Sequence, residues 1–122
     1  MSLQISTRKS AGVTIVDLKG RATIGADNDL LQSGLRELIA GGERNLLLNL
    51  AALTQLDSTG IGTIAATVAN VSRQGGALKL LRPRGRVRRV LAALRWFDRI
   101  PTFEDEAGAL ASFQSDKRSA VA

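Results

Sequence analysis

The stretch "TQLDSTGIGTIAAT", residues 54–67, gathers a carboxylate at Asp57, hydroxyls at Ser58 and Thr59, and glycines at 60 and 62, just ahead of an apolar helical pattern. Several chemistries compete for it. Gly60-x-Gly62-x-x-Ala65 has the formal spacing of a dinucleotide fingerprint. The fingerprint glycines follow a strand directly, however, and the clear strand pattern "NLLLNL" (45–50) ends about ten residues upstream. No acid stands about 20 residues further on to take a ribose hydroxyl, where the chain reads "LKLLRP". A Walker A loop fails outright, because Gly62 is followed by Thr63 and Ile64 instead of Lys and Ser/Thr. Aspartic proteases use Asp-Ser/Thr-Gly, and here an extra residue separates Asp57-Ser58 from Gly60.

The chain has no histidine, which removes the usual general base, the Ser-His-Asp triad and the commonest zinc ligand together. Lys79 is the only lysine between Lys19 and Lys117, so no other base stands in for it. Self-contained catalysis is not expected, no residue is assigned as catalytic, and neither a metal nor a cofactor is implied. Two readings of Ser58 stay open on the residues alone. Asp57 or Ser58 suits a helix N-cap, its side-chain oxygen taking an orphan amide proton for about 1 kcal/mol. Alternatively, the Ser58 hydroxyl accepts a phosphoryl group at a helix N-terminus, where free amides and the dipole favour an anion. Gly60 and Gly62, lacking side chains, would let a phosphate or a partner surface approach the first turn.

The 122 residues fit one domain, and 44% hydrophobic content is enough for a core. Leu, Ile, Val and Ala must fill it, since Trp96, Phe97, Phe103 and Phe113 are the only aromatics. Cysteine is absent, so no disulfide or thiolate chemistry exists. No apolar run approaches the roughly 18–20 residues of a membrane span, and "MSLQISTRKS" has no apolar signal stretch, so a cytoplasmic location without membrane insertion is expected.

Around the Ser58 segment the elements alternate. "LQIST" and "GVTIVDLKG" predict two strands joined by a turn at Lys9–Gly12, with β-branched residues and Val13/Ile15 alternation. Leu30, Leu31, Leu35, Leu38 and Ile39 share one face of a helix stopped by Gly41-Gly42. "NLLLNL" is a central strand, and Ile61, Ile64, Ala65 and Val68 start a helix that Gly75-Gly76 ends. "ALKLL" (77–81) is a strand closed by Pro83, and Val87, Val90, Leu91 and Leu94 mark a third helix. Ile100 belongs to a short last strand. A fourth helix begins near Thr102, with Glu104, Asp105 and Glu106 in its first turn, where carboxylates suit the dipole. The order β-β-α-β-α-β-α-(β)-α predicts an α/β fold. Its mixed sheet has four to five strands, mostly parallel, with the first hairpin antiparallel and about four helices packed on it.

From Val13 to Phe113 the chain resembles a STAS domain of the bacterial anti-sigma factor antagonist type. The resemblance rests above all on Leu56-Asp57-Ser58-Thr59-Gly60-Ile61-Gly62 after a "LNL" strand, supported by "QGGALKLL" and "RIPTFEDEAGAL". It implies a STAS domain over residues 1–114 followed by a flexible tail, 115–122. It also implies a partner switch. An anti-sigma factor that is itself a serine/threonine kinase binds the unmodified domain and releases its sigma factor. Phosphorylation of Ser58 weakens that complex, and a PP2C-type phosphatase restores it. Asp57, Thr59, Gly60 and Ile61 would shape the surface the kinase reads. The resemblance leaves homodimerisation open, and similar domains serve in stress-signalling assemblies and as subunits of lipid-transport ABC systems. The family's acidic turn after the second strand is replaced here by Gly20-Arg21-Ala22-Thr23. Arg21 and Thr23 are therefore expected at the partner surface, with Arg21 placed to stabilise a phosphoserine by a charge-assisted hydrogen bond.

The net charge is +6, and its excess lies late, in "RPRGRVRRVLAALR" (82–95), with six arginines and no acid. A solvated helix face is the plain reading of this segment, ahead of partner or anionic-lipid docking. No stacking aromatics are interleaved in it and no nucleic-acid motif is present, so no specific nucleic acid is expected as a partner.

Overall fold

The computed structural model describes residues 2–121, with side chains as far as Asp116. Strands β1 (Gln4–Ser10) and β2 (Val13–Ala22) form an antiparallel hairpin whose turn residues Ala11 and Gly12 both have positive φ, 53° and 78°. Such turns match the twist of the strands they join, and glycine takes this conformation without strain. After β2 come α1 (Ala26–Ala40), β3 (Asn45–Leu56), α2 (Ser58–Arg73), β4 (Ala77–Leu81) and α3 (Gly85–Ala93). A 3-10 turn (Trp96–Asp98), the short β5 (Thr102–Phe103) and α4 (Glu106–Val121) complete the order. The strands lie in sequence order, β1-β2-β3-β4-β5, parallel except for the first pair, so the expected mixed five-stranded α/β sheet with four helices is what forms.

Strand alternation divides the core between two faces. Val16, Leu18, Leu46, Leu48, Leu50 and Leu80 meet buried residues of α1, α2 and α3, among them Leu35, Ile64 and Val87. On the opposite face Val13, Ile15, Leu47 and Leu81 meet Ala109 and Phe113 of α4. β3, apolar on both sides, is the middle of the sheet, as parallel strands covered by helices require.

Several boundaries depart from the sequence reading. β3 continues six residues past "NLLLNL" to Leu56, because its second half pairs with the end of β2, Gly20 with Leu53 and Ala22 with Leu56. Thr54 and Gln55 hide that continuation from a hydropathy reading. α2 starts at Ser58, a full turn before Ile61. Leu30 and Leu94, expected on core faces, are 46% and 52% exposed. Ile100 is buried but lies before the last strand, which is Thr102–Phe103. α4 therefore begins later than expected, and only Glu106 of the three acids lies in its first turn. Asp105 instead accepts the Gly108 amide at 2.8 Å, and Glu104 pairs with Arg88 at 2.7 Å. The expected tail, 115–122, begins within the last turns of α4; Ala122 lies outside the described residues.

α4 closes over an unusual side chain. Lys79 of β4 is 4% exposed, donates to Asp116 Oδ2 at 2.7 Å and Ser112 Oγ at 2.9 Å, and holds its ammonium 4.6 Å from the Phe113 ring centre. Only the ammonium end of this pair is buried, since the Asp116 side chain is 59% exposed, so the pair's net contribution is small while the volume of Lys79 matters. Lys79→Met, which keeps the volume and drops the charge, is expected to stay within about 1 kcal/mol of wild type or to stabilise. Lys79→Ala leaves a cavity under α4 and costs about 2–5 kcal/mol. Urea unfolding of both variants checks this; equal damage from the two would mean that the charge itself holds α4 in place.

Candidate functional site

The end of β2, the end of β3 and the start of α2 meet at Asp57. This residue is the N-cap of α2, with an extended backbone (φ −104°, ψ −177°). Its Oδ1 accepts the amides of Thr59 at 3.1 Å and Gly60 at 3.0 Å, and its Oδ2 accepts the amide of Ile24 at 2.8 Å. The first two bonds satisfy donors that every helix start leaves orphaned. The third reaches across to the loop after β2. Partial burial works against the charge on Asp57, but hydrogen bonds from the Gly60, Ile24 and Thr59 amides outweigh it and hold the carboxyl below its ordinary value. A carboxylate so engaged is a poor general base, whatever stands beside it.

Ser58 is the first residue of α2 and is exposed. Between the two open readings, the cap role therefore belongs to Asp57, and the Ser58 hydroxyl faces solvent. The helix is seated by what lies beneath it. A methyl group on Gly60 would stand 2.5 Å from the Ala22 carbonyl oxygen and 2.7 Å from Leu56 Cδ1, so only glycine lets the first turn lie against β2. Gly60 and Ile61, expected at the partner surface, are buried, and they anchor the helix from below. Gly62 is exposed, with open space around its missing side chain. Thr63 Oγ1 donates to Asn28 Oδ1 at 2.7 Å and ties α2 to α1.

Gly60 and Gly62 lie inside α2, not in a turn before it. This, and not the distance from the preceding strand, separates the segment from a dinucleotide fingerprint, since β3 ends immediately before Asp57.

Beside Asp57 is a cavity of about 300 Å³ lined by Thr23, Gln55, Leu56, Arg86 and Val90. Thr23 thus shares this cavity with Asp57. Arg21 lines a neighbouring cavity with Arg84 and Arg86, and lies opposite Gln55 in the β2–β3 register. Two residues of this surface were not singled out from the sequence. Arg86 was submerged in an arginine-rich run. Ile24, 77% exposed and bound through its amide to Asp57, is an apolar side chain in a turn that no periodicity marks.

Removing the cap in Asp57→Ala should cost about 1–2 kcal/mol in thermal or urea unfolding, and should release the Ile24 amide to exchange. The carboxyl pKa is lowered on folding, so its contribution is complete at neutral pH and declines once the pH falls below the ordinary carboxylate value of about 4. Asp57→Asn should flatten that acid limb, and an unchanged pH profile would rule the assignment out. Gly60→Ala should cost about 1–3 kcal/mol, because helix and strand must separate. A neutral Gly60→Ala would show that the contact is loose.

Comparison with known proteins agrees with this geometry. Residues 4–109 match the STAS domain family. The chain is 27% identical over 115 residues to the anti-sigma F factor antagonist of Paenibacillus polymyxa, covering 93% of this chain and 97% of that protein. Among solved structures, a putative anti-sigma factor antagonist from Thermotoga maritima superimposes with a TM-score of 0.83 at 20% identity, over 90% of this chain and 94% of that one. An anti-sigma factor antagonist from Mycobacterium paratuberculosis gives 0.79 at 21% identity, over 93% and 95%. With the family match spanning most of its length and the fold in agreement, this chain belongs to the STAS domain family.

Proposed function

We propose that the chain is an anti-sigma factor antagonist, a cytoplasmic binding switch and not an enzyme, whose partner is an anti-sigma factor with serine/threonine kinase activity. The observation that carries this reading is the exposed Ser58 at the first position of a helix whose cap, Asp57, also holds the amide of the exposed Ile24. The kinship with the Paenibacillus antagonist along nearly the full chain supports it. In the unmodified state the partner docks on Ser58, Thr59, Thr23 and the loop before α1. The kinase then transfers the γ-phosphoryl group of ATP to Ser58 Oγ, the hydroxyl proton is lost, and ADP leaves.

The cap geometry supports a switch by charge. Phosphorylation adds about −1.5 to −2 charge. The Thr59 and Gly60 amides that a phosphate at this helix start would seek are already bound by Asp57. The new charge therefore stays outside, beside another anion and against the docked partner, and the complex weakens without the domain refolding. A PP2C-type phosphatase returns the hydroxyl, and Arg21 steadies the phosphoserine in the meantime.

The test begins with Ser58→Asp and wild type as parallel baits in native lysate, followed by purification of the partner. A serine/threonine kinase of the anti-sigma type should bind wild type at least tenfold more tightly than Ser58→Asp. With ATP and Mg²⁺ it should label the wild-type chain at Ser58, and it should leave Ser58→Ala unlabelled. Transporter or stress-complex subunits that ignore the substitution would overturn the reading and leave Ser58 as part of a scaffold.

A further inference from the structure

β1 and β5 are the two edges of the sheet, and they differ in kind. β5 has two residues, Thr102 and Phe103, whereas β1 has seven and pairs with β2 without interruption from Gln4 to Ser10. On its other side β1 has no strand among the described residues, so its outward amides and carbonyls form an open template. Proteins blunt such edges with proline, a bulge, short length or free charge. β1 has no proline and no bulge. Its two cations are already engaged, Arg8 with Asp17 at 2.8 Å and Glu106 at 2.7 Å, and Lys9 with Glu43 at 2.6 Å.

α1 borders this edge with an apolar row. Ile5 and Thr7 share the face that α1 covers, opposite Leu18 and Val16 of the core. Asp27 Oδ1 accepts the Leu3 amide at 3.0 Å, and a methyl group on Gly34 would stand 3.4 Å from Ile5 Cδ1. These two contacts fix which side of α1 looks toward the edge. Leu30 lies one turn before Gly34 on that side, and there it is 46% exposed. An apolar side chain is thus left open beside an open strand.

We propose that β1 and this side of α1 form a homodimer interface, in which β1 pairs antiparallel with β1 of a second copy of the chain. The register that pairs all seven residues is centred on Thr7. It sets Arg8 opposite Ser6 of the second copy and Lys9 opposite Ile5, so no cation faces a cation. The two-fold axis of such a pair stands perpendicular to the sheet, and the helices α1 of both copies lie on the same side of it. Leu30 and Ile5 of each chain then border one seam, and the two sheets become continuous. Because β5 is too short to receive β1, the contact closes on itself and does not grow into a filament. The surface includes no residue of the Ser58 site, so it stands or falls independently of the function proposed above.

Sedimentation equilibrium of the full chain is expected to show reversible association to the mass of two chains. Leu30→Lys puts a charge from each copy at the seam, and the dimer Kd should rise at least tenfold. The chain has no cysteine, so a single introduced thiol reports the register. Directly opposed residues of antiparallel strands have Cα atoms about 4.5–5.5 Å apart, within reach of a disulfide. Thr7→Cys, which meets its own counterpart on the axis, should therefore cross-link in oxidised glutathione. Gln4→Cys, which meets Ser10 of the second copy, should not. Leu30, Thr7 and Gln4 are all exposed, and wild-type circular-dichroism spectra keep the comparison among folded chains. The mass of one chain at every concentration up to about 1 mM would overturn the proposal. So would a dimer that Leu30→Lys leaves as tight as before, or one that cross-links no faster at Thr7→Cys than at Gln4→Cys.

Discussion

One carboxylate sets the geometry of the candidate site. Asp57 accepts two amides of its own helix and one from a loop 33 residues earlier, so the ends of β2 and β3 and the start of α2 are held at a single point. The arrangement needs close approach as well as charge. The register that sets Ala22 opposite Leu56 brings the two strand ends level, and Gly60 lets the helix lie on the Ala22 carbonyl. With any bulkier residue at position 60 the helix start moves outward, and the Ile24 amide loses its acceptor. Capping, register and packing are thus one constraint met by three residues.

This rigidity bears on how such a site would act as a switch. The surface around Ser58 rests on β3, whose Leu46, Leu47, Leu48 and Leu50 are fully buried, and on Ile61 and Ile64 beneath the helix. A core of this kind is close-packed and yields little to a change at its rim. A modification at Ser58 consequently changes what a partner meets and leaves the fold as it is. Under the proposed function, the energy of switching comes from the partner contact, where an unpaired anion must be desolvated, and not from strain within the domain.

Much of this was legible in the sequence because the signals were local. The leucines of "NLLLNL", the period of Ile61, Ile64 and Val68, and the Gly-Gly stops each report a single element, and each element is present. What escaped was decided between elements. The second half of β3 has no clean alternation, since Thr54 and Gln55 sit at the sheet rim; its strand state comes from pairing with β2. Pro101 follows Ile100, and the pairing of Leu80 and Arg82 with the chain at 101–103 moved the last strand past it. The reach of Asp57 to Ile24 joins residues with no shared periodicity. Gly60 illustrates the same limit: the reason for it, a carbonyl from another strand, is invisible in one dimension.

The topology also explains why the cavity beside Asp57 and the arginine-lined cavity are neighbours. β2, β3 and β4 are parallel, so their carboxyl ends lie along one edge, and the helices that follow start there. Open parallel sheets bind ligands at that edge because helix N-termini and the loops leading to them converge on it. In this chain the edge carries Thr23 and Ile24 after β2, Asp57 and Ser58 after β3, and Arg84 and Arg86 after β4. The cavity beside Asp57 and the arginine-lined cavity share Gln55 and Arg86. The opposite sheet face has no such convergence: α4 covers it, and its charged side chains Arg8, Asp17, Glu106 and Lys79 are engaged with one another or with Asp116. Among the described residues, strand ends and helix starts gather on one rim, while charges of the other face hold α4 down. That division follows from strand direction before any particular partner is considered.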